Sequence, residues 1–224
     1  MGPLASDCLV RNTWVCPKYV RTRSSDLTAA LTQHVELTTV SVLIGLAVAL
    51  PLAVVARRLR LSSLLLGTAT VVYTVPSLAL FSLLVPFTGL SSTTVVIGLV
   101  LYSLTILLRN VLAGLDGVAA DVREAARGMG FGRTRLLLRV ELPLALPTIM
   151  AGLRVATVST VALTTIGFLV GSGGLGNLIQ DGLQSNFKAE VLTASVLCVL
   201  LAVVADLLLL VVQRVLTPWA RSQS

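Results

Sequence analysis

The chain has 224 residues, of which 55% are hydrophobic and only 12% charged, with a net charge of +7. Soluble domains carry about 25% charged residues, so this composition excludes an ordinary soluble domain and indicates a bundle of membrane helices. The positive charge does not point to nucleic acid: aromatics make up 4% of the chain, too few for a base-stacking surface, and the arginines collect at the edges of apolar runs.

Residues 1–26 are polar and mixed and lack the apolar core of a cleaved signal peptide. Cys8 and Cys16 would pair if this segment faced an oxidising compartment, and stay as free thiols otherwise. The third cysteine, Cys198, and the single histidine, His34, form no metal-binding spacing. Between Glu36 and Arg57 no charge interrupts the chain, and this predicts a first span over about 37–56 with Pro51 as a kink. Arg57, Arg58 and Arg60 close it.

The chain then runs without charge from Leu61 to Leu108. That is enough for two spans of about 20 residues each. Pro86-Phe87-Thr88-Gly89-Leu90-Ser91-Ser92 reads as the turn between them, which predicts spans over about 62–84 and 93–113. A fourth span is expected over about 148–169. Arg154 lies near its start, where it can snorkel to the interface. Thr157, Thr160 and Thr164 recur on it at helical spacing, a stripe that suits close helix packing or a pathway lining. Gly171-Ser172-Gly173-Gly174-Leu175-Gly176 has the spacing of a dinucleotide fingerprint, but that motif needs a preceding strand. After an apolar span it reads instead as a turn where backbones approach closely. The fifth span is expected over about 191–212. It carries Asp206, a carboxylate that should face protein or water rather than lipid, either as a gate or subunit contact or held by polar neighbours.

Residues 121–147 form the longest stretch with frequent charge, within a loop expected over 114–147 between the third and fourth spans. Asp121 and Glu124 have the spacing of a capping box. Ala125 and Ala126 favour helix, Gly128, Gly130 and Gly132 break it, and a second helix from Thr134 is expected to stop near Pro143. With this stretch in the cytoplasm, that side holds Arg57, Arg58, Arg60, Arg109, Arg123, Arg127, Arg133, Arg135, Arg139, Arg154, Arg214 and Arg221. The outside holds Arg11, Lys18, Arg21, Arg23 and Lys188, and together these are all 17 basic residues. The bias predicts an N-terminus outside and a C-terminus inside.

Glu124-Ala125-Ala126, three residues, Gly130, nine residues and then Val140-Glu141-Leu142-Pro143 resembles the EAA loop of ABC importer permeases. The one departure from the family pattern is Val140 in place of isoleucine. The resemblance implies an all-α membrane protein with five transmembrane helices in the type I, MetI-like permease fold. It covers a permease domain over 27–217, flanked, on the charge bias, by an extracytoplasmic tail over 1–26 and a cytoplasmic tail over 218–224. It also implies that Glu124, Ala125, Ala126, Gly130, Leu142 and Pro143 couple the chain to an ATPase. The expected partners are a second permease subunit, identical or homologous, two ATPase subunits, an extracytoplasmic substrate-binding protein and membrane lipid. ATP and Mg would sit on the ATPase, with no cofactor on this chain, which has no Gly-Lys-Ser/Thr and so no P-loop. Nor does it show a clustered nucleophile and base, so it does not read as an enzyme.

His34-Val35-Glu36-Leu37-Thr38, Val75-Pro76-Ser77-Leu78-Ala79, Leu101-Tyr102, Leu108-Arg109-Asn110 and the segment from Thr165 to Leu183 look like the osmoprotectant branch of these permeases. That branch moves quaternary ammonium solutes such as glycine betaine, carnitine or choline across the plasma membrane. Tyr73 and Tyr102 offer aromatic faces to such a cation, though each is more often simply core or interface. A methionine or other small-solute permease, an ion-coupled carrier and a non-transporting scaffold stand as alternatives.

Overall fold

A computed structural model of the protein describes residues 7–219. Arg221 of the expected C-terminal tail and residues 1–6 of the N-terminal one lie outside them. The described residues form helices α1 (Pro17–Thr22), α2 (Ser24–Arg58), α3 (Ser62–Thr74), α4 (Ser77–Thr88), α5 (Ser92–Asp116), α6 (Ala120–Gly128) and α7 (Arg133–Leu136). After a π turn (Leu137–Glu141) come α8 (Leu142–Thr164), a 3-10 stretch (Thr165–Val170), α9 (Leu175–Gln184) and α10 (Lys188–Leu216). Among the described residues four helical stretches are long and apolar enough to cross a membrane: α2, α5, the continuous run from Arg133 to Val170, and α10. The bent pair α3 and α4 supplies a fifth crossing.

The bend corrects the expectation of a single straight helix over 62–84, since α3 and α4 meet at 94°. Pro76 is the physical cause. Proline drives the residue before it out of the helical region, and Val75 sits at ψ 127°. The Val75 carbonyl accepts a hydrogen bond from the Tyr102 hydroxyl of α5, which satisfies the acceptor that the break exposes. Pro86, expected in the turn, lies inside α4, and the turn begins only at Gly89.

Two contacts fix the direction of the chain. Arg57 Nε lies 2.8 Å from Asp116 Oδ1, so the ends of α2 and α5 share one end of the bundle. Ser92 starts α5 at the other end, where its hydroxyl is 3.2 Å from that of Ser172, just beyond α8. The chain must therefore return between Arg58 and Ser92, and α3 with α4 is that return.

Helix α5 is the central element, packed on α2 and α8. Ala49, Ala53, Leu107, Leu108, Val111 and Leu115 are buried at one end of the bundle, and Leu37, Phe81, Val95 and Leu99 at the other. Small residues let the backbones approach, as is common between membrane helices: a Cβ on Gly114 would stand 2.9 Å from the Ala145 carbonyl oxygen. The threonine stripe serves the same packing. Thr157, Thr160 and Thr164 donate to the carbonyls of Leu153, Ala156 and Thr160 on their own helix, and Thr164 also meets Thr38 of α2 at 3.3 Å.

One more expectation about α8 is corrected. The second loop helix does not stop at Pro143 but runs on into the membrane segment. A proline in a helix clashes with the carbonyl four residues back, and the wide π turn, with Leu142 N donating to Leu137 O, relieves that contact. Arg154 is paired. It holds Asp206 of α10 through two hydrogen bonds of 2.8 Å, Nε to Oδ1 and Nη2 to Oδ2. A paired charge is the form in which a carboxylate is tolerated between membrane helices.

The end bearing Ser92 and Ser172 is closed by the N-terminal segment. Cys8 and Cys16 form a disulfide, so the choice the sequence left open falls to pairing. Lys18 pairs with Asp7 and holds its carboxyl below the usual carboxylate range. Asn12 clamps the α9–α10 turn, donating to Asn186 O at 2.7 Å and accepting from Lys188 N at 2.9 Å. His34 is fully buried beside this end and donates from Nε2 to Val161 O at 3.0 Å.

The glycine-rich stretch lies against the same region. A Cβ on Gly173 would sit 2.5 Å from Phe168 N, and one on Gly176 would overlap the Thr165 carbonyl. Because the obstructing atoms are backbone, they cannot rotate away. Gly176→Val is expected to cost about 3 kcal/mol or more, at the upper end of overpacking. Size-exclusion chromatography during heating of the detergent-purified protein should show it aggregating well below the wild type.

Candidate coupling site

The site is built at the other end of the bundle, where α2 and α5 finish and the run into α8 begins. Helix α6 stands at this end between Gly117 and Gly132. The expected capping box does not form: Ala119 is the N-cap, with no side-chain bond to the helix, and Asp121 lies in the first turn. There its charge still suits the positive end of the helix dipole. The helix ends in a Schellman arrangement. Phe131 N donates to Ala126 O and Gly130 N to Arg127 O, at 3.1 and 2.9 Å, and Gly130 sits at φ +83°. A side chain there would be strained, which is why glycine stands at this point of the motif.

The motif residues divide by direction. Glu124 and Ala125 are exposed, together with Val122 and Met129, whereas Ala126 is 2% exposed and faces the bundle. Leu142 and Pro143 are half-buried at the head of α8. Trp219 shares a shallow hollow with Arg139, Val140 and Pro143, so the end of the described chain also reaches this point.

An ion network that the sequence reading missed ties α6 to the bundle. Glu141, buried in the π turn, lies 3.2 Å from Arg57 Nη1 and 3.1 Å from Arg123 Nε. The second contact is an attraction off the line of a hydrogen bond. Arg123 also donates from Nη2 to the Leu115 carbonyl at 2.8 Å. One carboxylate therefore joins the end of α2, the body of α6 and the start of α8, while Arg57 adds Asp116 at the end of α5. The sequence signal was the acidic residue between Val140 and Leu142, at the head of the apolar run that follows.

Of the residues considered for a substrate pathway, the two tyrosines are brought together. Tyr102 is 5% exposed and occupied with Val75, while Tyr73 is 44% exposed and meets the Tyr102 ring edge-on at 5.7 Å. The three threonines lie on α8, at its contact with α2.

Residues 41–222 match the family described as binding-protein-dependent transport system inner membrane component. The chain belongs to this family. It is a multi-pass plasma-membrane permease of the ABC transporter class. The choline transport system permease protein OpuBB of Bacillus subtilis is 32% identical over 202 residues, covering 90% of this chain and 93% of that protein. The glycine betaine/carnitine/choline transport system permease protein OpuCD of the same organism is 38% identical over 188 residues, covering 83% and 82%. The osmoprotectant import permease protein OsmW of Salmonella typhimurium is 36% identical over 197 residues, covering 85% and 92%. In fold, the permease is similar to a chain of the inward-facing MetNI methionine ABC transporter, with a TM-score of 0.77 over 88% of this chain and 98% of that one, at 22% identity.

Proposed function

We propose that this permease carries an osmoprotectant, a quaternary ammonium solute of the glycine betaine, carnitine or choline type, in an importer driven by a separate ATPase. The observation that carries the reading is the identity of 32–38%, over 82–93% of either chain, with permeases named for choline, carnitine and glycine betaine. The assembly is two permease subunits, two ATPase subunits and an extracytoplasmic binding protein, and ATP and Mg belong to the ATPase.

The α6 end faces the cytoplasm in this reading and the N-terminus lies outside. The arginine bias supports that orientation, and so does the Cys8–Cys16 disulfide at the opposite end, where an oxidising compartment would preserve it. Glu124, Ala125, Met129 and Val122 form the face that the ATPase grips. Gly130 turns the chain back, and Glu141, Leu142 and Pro143 pass the movement into α8. Tyr73, on an exposed face, is the better placed of the two tyrosines to meet an ammonium group.

The test is to purify the permease with its partner subunits, reconstitute it in proteoliposomes and measure ATP hydrolysis with each solute and the cognate binding protein. Glycine betaine, carnitine or choline should stimulate hydrolysis and accumulate inside. Stimulation by methionine alone would overturn the substrate assignment.

A further inference from the structure

Behind α6 lies a cleft of about 650 Å³ that includes the Glu141 network and extends beyond it. Five arginines line it, Arg57, Arg58, Arg123, Arg127 and Arg133, against the single carboxylate of Glu141. Arg57 and Arg123 are engaged with Glu141. Arg58, Arg127 and Arg133 make no ion pair among the described residues. The floor is apolar, formed by Val54, Leu115, Leu136 and their neighbours. Val54 and Leu115 belong to the last turns of α2 and α5, so the cleft opens where two membrane spans end. Beside it Leu59, Leu61 and Leu64 are exposed, at 62%, 45% and 62%, an apolar border that lipid would cover.

A site with a cationic rim, an apolar floor and a position at the membrane boundary suits one kind of ligand. The head must be anionic, and the part beneath it must be hydrocarbon. Its volume lies in the range of roughly 300–1,000 Å³ usual for small-molecule sites. Basic hollows between membrane helices hold acidic phospholipid heads in this way. We infer that the cleft formed by the ends of α2 and α5, helix α6 and the start of α8 binds the phosphate head of an anionic phospholipid. An acidic segment of the ATPase would match the rim but leave the apolar floor without a partner.

The inference does not depend on the substrate, and its readout is lipid rather than transport. The assembled transporter, purified in mild detergent and placed in nanodiscs of mixed phosphatidylglycerol and phosphatidylcholine, should retain phosphatidylglycerol selectively when the lipids are extracted and quantified. Arg58→Gln with Arg133→Gln should lower that retention about thirtyfold, as expected for two basic residues near an anionic surface. Arg60→Gln with Arg139→Gln, outside the cleft, should leave it unchanged. A photoactivatable phosphatidylglycerol should label wild-type peptides around Arg57–Arg58 and Leu136–Leu137, so the inference stays testable if the variants fold poorly. Soluble glycerol phosphate should not displace this label.

Equal labelling by a phosphatidylcholine probe would overturn the inference. So would displacement by the soluble phosphate, or cross-links from the cleft to the ATPase in place of lipid.

Discussion

Glu124→Lys is expected to abolish solute uptake while leaving the permease folded and inserted. Glu124 is exposed on α6 and makes no hydrogen bond or ion pair within the described chain, so its own fold loses nothing when the charge is reversed. If the ATPase grips this face, the carboxylate meets donors there. A hydrogen bond to a charged group contributes about 1.5–3 kcal/mol, and reversal adds repulsion, so uptake should fall at least about tenfold. Gly130→Asp acts on the same face by another route. At φ +83° a residue with a Cβ costs about 1–2 kcal/mol, and the strain tilts α6 away from its position. The measurement is uptake and solute-stimulated ATP hydrolysis in proteoliposomes, beside expression level and elution profile of each variant. Normal uptake by both variants would remove α6 from the coupling path.

The contrast between these two residues shows what the sequence carried. Gly130 was legible because only glycine suits the left-handed end of a Schellman turn, so chemistry and geometry coincide in one letter. The long apolar runs were legible because their length matches a bilayer. The 94° bend was not. Pro76 lay in plain view, but whether a proline kinks or breaks a helix depends on what satisfies the freed carbonyl, and the Tyr102 hydroxyl that does so lies on another helix. The Arg154–Asp206 pair was hidden for the same reason, being 52 residues apart in the chain. The π turn before Pro143 was hidden too, since the composition of Leu137–Glu141 is that of an ordinary helix. At the site, the exposed part of the motif followed from the resemblance, while the buried carboxylate behind it followed only from packing.

That buried carboxylate gives the other large expected effect. Glu141→Ala removes the one group that links α2, α6 and α8. Glu141 is 7% exposed, and its loss leaves two cations facing each other across the π turn. Breaking a buried pair by removing one partner costs about 3–5 kcal/mol. The low end applies here, because Arg57 keeps Asp116 and Arg123 keeps the Leu115 carbonyl. A loss of about 3 kcal/mol should appear as a lower melting temperature of the detergent-purified permease. Uptake should fall further than stability alone explains, since α6 would then move without carrying α8. ATP hydrolysis by the assembled complex should persist but lose its dependence on solute. A double variant separates electrostatics from shape: Glu141→Leu with Arg123→Leu leaves no orphaned pair and should recover part of the stability, as apolar replacements of buried ion pairs often do. It should not recover uptake, because the tie between α6 and α8 is still absent. Recovery of both would mean that Glu141 matters only as a neutraliser of Arg123, and that the movement of α6 reaches the bundle by its apolar contacts alone.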